Sequence, residues 1–527
     1  MAITNAATPG VYIEEVNAFP NSVVPVATAV PAFIGYTPKA EYQGKSYYNK
    51  PTKITSFAEF QAFFMVGNPA PPASPAKQYN PEYYLVEQKE EPTRGDYMTL
   101  SGKFYSILPD PSTIYYLYNS IRLFYQNGGG DAYVVAVGTY GTSSKKAMDD
   151  PAAQIVNPNV QLDDLQSGLA LLKNEQEPTM YVCPEATLLS PDNNGTLMKS
   201  MLLQAEEMQT AVCIFDIIGG NDPDPILYTD DIQTFRNNTG TNGLNYGTAY
   251  YPFIGTTIMQ NSDIDFTNLF GGDIKQLDPF VNPTDAPNAA AESIIGMIET
   301  PPDDPMSDTQ LQAALLVASP TYTQIVNNVL TNANMLPPSG AMAGVYTVND
   351  NTNGVWGAPA NTGIVAAASL PIRLSDSQQA GLNIDAVSGK SVNAIRFFNG
   401  QGILVWGART LDGNSQDWRY ISVRRTLIYL EQSVKAAARA YVFAPNDANT
   451  WSAVKSMIGA FLNGVWKEGG LQGATPADAF QVDIGLGSTM TADDLLNGYM
   501  RVSVKVAVVR PAEFIVISFE QQQAKSG

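Results

Sequence analysis

Two tripeptides, Gly44-Lys45-Ser46 and Gly389-Lys390-Ser391, end as a phosphate-cradling loop ends. That chemistry needs a glycine five residues before the first one, so that backbone N–H groups can face the phosphates. Lys39 and Ile384 stand there instead, and neither tripeptide qualifies. Asp263-Ile264-Asp265 opens like a calcium loop, but Asn268 occupies the position of the sharp turn that wants glycine. Asn127-Gly128-Gly129-Gly130 leads into an apolar run and reads as a turn; Asp222 and Asp224 sit among prolines and read as a solvated loop. The chain of 527 residues has no histidine, which removes Ser-His-Asp and Cys-His catalysis, His-ligated zinc and an imidazole switch. Its 2 cysteines, Cys183 and Cys213, cannot build a four-thiolate site and lie inside apolar runs, where they read as small buried hydrophobes. No catalytic, cofactor-binding or metal-ligating set emerges, and no cofactor is expected. What remains to be read is the placement of charge and of apolar runs.

Charge is unevenly placed. The chain carries 50 acidic and 30 basic residues, a formal charge of -20. Residues 341–527 hold 15 basic and 14 acidic residues, so nearly the whole excess lies in 1–340. Such acidity argues against a nucleic-acid coat. Two readings follow: a solvated acidic domain beside an ordinary one, or an acidic part facing solvent while repulsion between copies directs contacts to the neutral end. The first sixteen residues have no basic start or apolar stretch, and no run approaches the ~20 apolar residues of a spanning helix. Folding in the cytoplasm, with no membrane insertion, is the expectation.

The elements that place these groups follow from hydropathy. Ala32–Tyr36, Ala132–Val137, Thr179–Cys183, Ala211–Ile217 and Gly247–Ile254 are apolar runs. They alternate with helical patterns at Ile114–Tyr125, Leu162–Leu172 and Met198–Gln209. This predicts an α/β unit with a mostly parallel sheet covered on both faces. Residues 40–115 and 256–330 read as two loop-rich insertions, the first with a helix near Ser56–Phe64 opened by a Ser56/Glu59 capping box. Ile421–Tyr441 and Trp451–Trp466 are amphipathic helices. Met500–Val508 alternates as a half-exposed strand, with Val502, Val504, Val506 and Val508 on one face. Pro511 breaks it, and Glu513–Phe519 predicts one more strand.

A series of motifs resembles the contractile tail sheath proteins. It starts with Pro9-Gly10-Val11-Tyr12-Ile13-Glu14-Glu15 and Phe33-Ile34-Gly35, then Pro337-Pro338-Ser339-Gly340, Ala343-Gly344-Val345-Tyr346 and Gly354-Val355-Trp356-Gly357. It continues through Val405-Trp406-Gly407-Ala408-Arg409-Thr410, Trp418-Arg419-Tyr420-Ile421 and Phe443-Ala444-Pro445-Asn446-Asp447 to Arg510-Pro511-Ala512-Glu513-Phe514. The resemblance is specific over 337–520, good over 1–36 and 115–255, and absent from the insertions. It implies an α/β chain, α+β overall. An N-terminal arm, 1–20, would precede an outer domain, 21–365, holding a subtilisin-like α/β middle domain without a triad. An inner sheath core, 366–510, and a C-terminal arm, 511–527, would follow. It also implies self-assembly into rings or a helix around an inner tube protein, with baseplate and cap partners, in a phage-tail-like particle released by lysis.

Within that frame the arm strands are Val11, Tyr12, Ile13 and Val16 at one end and Phe514, Ile515, Val516, Ile517 and Phe519 at the other. The receiving sheet is Val502, Val504, Val506 and Val508. Main-chain pairing to a neighbour suits subunits that must slide without separating. On the helical wheel, Arg424, Lys435 and Arg439 form a basic stripe opposite the apolar face of Ile421–Tyr441, a candidate contact for an acidic tube; Lys455 and Lys467 are the alternative. The rival classes are a closed-shell protein and an α/β enzyme with an unrecognised site.

Overall fold

The computed structural model describes residues 22–68 and 76–517. The described residues divide into two compact units, one within 27–425 and one of residues 22–26 together with 426–517. The division falls inside the helix Ile421–Ala438.

A nine-stranded sheet organises the larger unit. Its central strands Asn393–Phe398, Gly247–Tyr251, Val212–Asp216, Met180–Val182, Pro31–Thr37 and Ala132–Thr139 lie side by side in that order, all parallel. Short antiparallel strands close both sides, Thr52–Ile54 on one and Gly402–Val405 with Thr362–Gly363 on the other. The runs that read as buried strands are buried along most of their length, as a parallel sheet with helices on both faces requires. The predicted run Gly247–Ile254 divides: Gly247–Tyr251 joins this sheet and Ile254–Thr256 pairs with Met335–Leu336 and Ala367–Ser369 in another. Pro252, which cannot donate to a ladder, stands at the break. Residues 366–425, expected in the inner domain, belong here instead, because Asn393–Phe398 extends the parallel ladder.

Two helices on one face, Leu117–Gln126 and Ser339–Asn353, approach so closely that a Cβ on Gly340 would lie 2.5 Å from the Ser120 carbonyl oxygen. The C-terminal ends of the strands beneath them carry two buried carboxyls. Glu185 accepts the Leu117 N–H at 2.8 Å, and its other oxygen crowds the face of Gly35, where a Cβ would collide. Asp216 accepts the Ser339 N–H at 2.8 Å and the Ser339 hydroxyl at 2.5 Å. Each therefore accepts an N–H at the start of a helix that has no partner within the helix. Cys183 and Cys213 are buried beside them, as the sequence reading expects.

The two insertions are not loop-rich. Residues 83–109 form an antiparallel sheet of Tyr83–Gln88, Lys103–Pro109 and Tyr97–Leu100. Residues 274–333 form four helices, Ile274–Val281, Ala289–Glu299, Asp308–Ala318 and Pro320–Ala333, each opened by a side-chain cap, Asp273, Asn288, Ser307 and Ser319 in turn. They also pack as one body: Tyr84 meets Phe270 at 5.6 Å and Tyr105 meets Phe280 at 5.2 Å between ring centres.

Burial pushes the Glu185 carboxyl up to about 8 and the Asp216 carboxyl up to about 7. The folded chain then holds these protons more tightly than the unfolded one, so stability is full below the ordinary carboxyl range and falls as pH rises towards 8. Glu185→Gln removes the larger part of that dependence. Urea midpoints at pH 5 and pH 8 should show the variant losing less stability than the parent, by on the order of 4 kcal/mol. Equal losses in both chains contradict a protonated Glu185.

Candidate assembly site

Among the described residues the smaller unit is built from two long helices, two short ones at Pro476–Ala479 and Ala492–Leu496, and a two-stranded antiparallel sheet. The helix Ile421–Ala438 gives way to a 3-10 turn at Arg439–Tyr441, and Asp447 then caps the helix Ala448–Lys467 by accepting the Asn449 and Thr450 N–H groups at 3.1 and 2.9 Å. Trp451 Nε1 donates to Asn446 at 2.7 Å, and Asn446 Nδ2 donates to the Tyr499 carbonyl at 3.0 Å, which fixes the connecting loop. Val454, Met457, Ile458, Leu462 and Val465 bury one face of the second helix, close to the expected stripe.

That helix packs against Phe480–Ile484, which pairs antiparallel with Val502–Val506. Phe480, Val482 and Ile484 face Val506, Val504 and Val502 across the ladder. The sheet has these two strands only, so each has one edge without a strand beside it among the described residues. Val502 and Val504 remain 37% and 38% exposed. A β-branched face of this kind is what a covering or adjoining strand would bury. Two strands alone are marginally stable in water, and an uncovered apolar face marks a contact surface.

The predicted strand is shorter than expected. It ends at Val506, and Val508 makes an isolated bridge to the buried Leu471, supported by Gln472 N–H to the Ala507 carbonyl at 2.7 Å. Beyond it, residues 513–517 belong to no strand, against the prediction for Glu513–Phe519, and Phe514, Ile515, Val516 and Ile517 are 67–88% exposed. A strand exists only with a partner ladder, and among the described residues no strand pairs with this segment. Val11, Tyr12, Ile13, Val16 and Phe519 lie outside the described residues.

The basic stripe needs correction. Arg424 is buried, with its guanidinium 4.7 Å from the ring centres of both Tyr246 and Trp418. Two aromatic faces stabilise a desolvated cation, and the residue is unavailable to a tube. Its neighbour Arg425 is buried too, making a bidentate pair with Asp350 at 2.8 and 2.6 Å and donating to the Thr28 carbonyl at 2.9 Å. The first turn of this helix is core of the larger unit. Lys435, Arg439, Lys455 and Lys467 are exposed, though Arg439 follows the end of the α-helix, where 100° per residue no longer applies. Phe443, missed by the sequence reading, is fully exposed with Val442 beside it, at a left-handed backbone φ of 69°. The available signal was an apolar Tyr-Val-Phe run against Pro445.

The family model of the phage tail sheath C-terminal domain matches residues 414–522. The tail sheath protein of Vibrio phage KVP40 is 29% identical over 139 residues, which cover 26% of this chain and 20% of that protein. The chain thus spans about a fifth of the length of the curated relative it matches. The whole chain has the fold of contractile sheath subunits. Against the anti-feeding prophage helical sheath in its contracted state it is 24% identical with a TM-score of 0.57, covering 98% of this chain and 100% of that one. Against the PVC sheath complex of an extracellular contractile injection system in the contracted state the values are 24%, 0.56, 98% and 99%. A chain of the anti-feeding prophage baseplate gives 23%, 0.57, 98% and 100%. Among the described residues no helix is long and apolar enough to cross a membrane.

Placing Arg424 in the core makes a direct prediction. Arg424→Glu should cost about 3 kcal/mol or more, because it leaves a buried, unpaired charge against two rings. Lys435→Glu should change stability by less than about 0.5 kcal/mol. Guanidinium unfolding curves measure both, and equal midpoints would return Arg424 to the surface.

Proposed function

We propose that this protein is a structural subunit of a contractile sheath. It polymerises around an inner tube, in an extended state, and contracts to drive the tube into a target. The observation that carries this reading is a segment similar to the tail sheath C-terminal domain whose sheet, among the described residues, is two strands wide with Val502 and Val504 exposed, next to a C-terminal segment with four exposed apolar residues. Strands supplied by other copies complete that sheet. The segment containing Phe514, Ile515, Val516, Ile517 and Phe519 is one such strand, and the segment containing Val11, Tyr12, Ile13 and Val16 is the other. Val502, Val504, Val506 and Val508 receive them.

The doubly wound unit is, on this reading, the family's subtilisin-like middle domain. Assembly occurs in the bacterial cytoplasm, in a phage-tail-like or injection-system particle, with baseplate and cap proteins at the ends. Lys435 and Arg439, with Lys455 and Lys467, meet the inner tube. Exposed ion pairs are weak, on the order of 0–1 kcal/mol each, so many can hold register and still release when the sheath widens.

Negative-stain microscopy tests the function. The full chain should give hollow striated cylinders, whereas the chain ending at residue 508 should stay folded, by its thermal midpoint, and form none. Closed shells, or cylinders from the truncated chain, would contradict the proposal. Lys435→Glu with Arg439→Glu, co-expressed with tube protein, should reduce extended, tube-filled particles severalfold while empty contracted cylinders persist. Unchanged numbers of filled particles would remove this helix as the tube contact.

A further inference from the structure

The loop that begins like a calcium site holds a cation of another kind. Lys77 Nζ lies 2.6 Å from Asp265 Oδ1, 2.8 Å from Thr267 Oγ1 and 2.7 Å from Asn268 Oδ1. The ammonium has three protons and meets three acceptors, so its hydrogen bonding is complete. Calcium takes six to eight oxygens. The first aspartate of the motif does not join: Asp263 accepts the Gln260 N–H at 2.9 Å and lies 3.7 Å from Arg122.

The acceptors are held in place before the ammonium arrives. Asp265 Oδ1 also accepts the Thr267 N–H at 2.8 Å and the Thr267 hydroxyl at 2.6 Å. Asn268 Oδ1 accepts the Asp265 N–H at 2.9 Å, closing a reciprocal cap around Phe266–Asn268. The amide of Asn268 then reaches the other way, to Asn80 Oδ1 at 3.0 Å and the Pro81 carbonyl at 2.9 Å. Asn268 is fully buried. Leu269 bridges to Tyr83 directly after it. The links from Lys77, Asn80, Pro81 and Tyr83 to this turn each join chain segments some 190 residues apart in sequence, at the junction of the two insertions.

We propose that the turn Asp265–Asn268 is an ammonium-binding cage, occupied by the protein's own Lys77, which staples the two insertions into one module. The ligand class is a primary alkylammonium: a donor of three hydrogen bonds, compact enough to sit within 3 Å of all three oxygens. Bulkier cations without N–H groups do not fit, and divalent metals find too few oxygens.

The test removes the tether and supplies the head group. Lys77→Ala in the full chain should lower the thermal midpoint and speed protease cutting within residues 76–82 and 263–272. Methylammonium chloride should reverse both effects, whereas sodium, tetramethylammonium or calcium chloride at equal ionic strength should not. A variant as stable as the parent, or one that methylammonium does not restore, overturns the cage; restoration by calcium assigns a metal site instead and equally overturns it. A second measurement needs no variant. Under reductive methylation of the folded chain, read by mass spectrometry, Lys77 should react at least tenfold more slowly than the exposed Lys89. Equal rates overturn the proposal, even if Lys77→Ala fails to fold.

Discussion

A two-stranded sheet with an apolar face cannot be the finished form of a domain. Phe480–Ile484 and Val502–Val506 satisfy each other along one edge, and the helix Ala448–Lys467 packs against the first of them. The remaining edges and the valine face have nothing to complete them within the described chain. Burial of a valine stabilises by roughly 1.5–3 kcal/mol when complete. On the proposed function, that gain is deferred to association with other copies.

The two units divide the physical tasks. Residues 27–425 carry a broad, buried sheet, with helix N–H groups and a buried cation met internally by Glu185, Asp216 and the Arg425–Asp350 pair. Such a body can move as a rigid element, because a buried pair resists rupture far more than a surface pair does. Residues 426–517 carry the exposed cations, the exposed Phe443 loop and the open sheet. The near-neutral charge of this part of the chain suits packing of many copies, and the acidic remainder suits solvent.

Much of this was legible in the sequence, for identifiable reasons. Central strands such as Ala132–Val137 announce themselves as continuous apolar runs bounded by glycine turns. The long C-terminal helices announce themselves by period. Arg424 was misplaced because a helical wheel describes one helix in isolation; it cannot show that Tyr246 and Trp418 close over the first turn. The helices of 274–333 were missed because they are rich in Ala, Asn, Gln and Thr and interrupted by prolines, so their caps at Ser307 and Ser319 were the stronger signal. The strand expected at Glu513–Phe519 has the composition of a strand, yet composition does not supply a partner. The cage around Lys77 was invisible, since its donor and acceptors are 188 to 191 residues apart.

The central claim is that Val502–Val506 gains a strand when copies assemble. Hydrogen–deuterium exchange of those backbone amides, compared between the dispersed subunit and assembled cylinders, measures it most directly. The account predicts at least a hundredfold slowing on assembly, together with new protection at residues 513–517. Unchanged exchange at both segments in intact cylinders would contradict it.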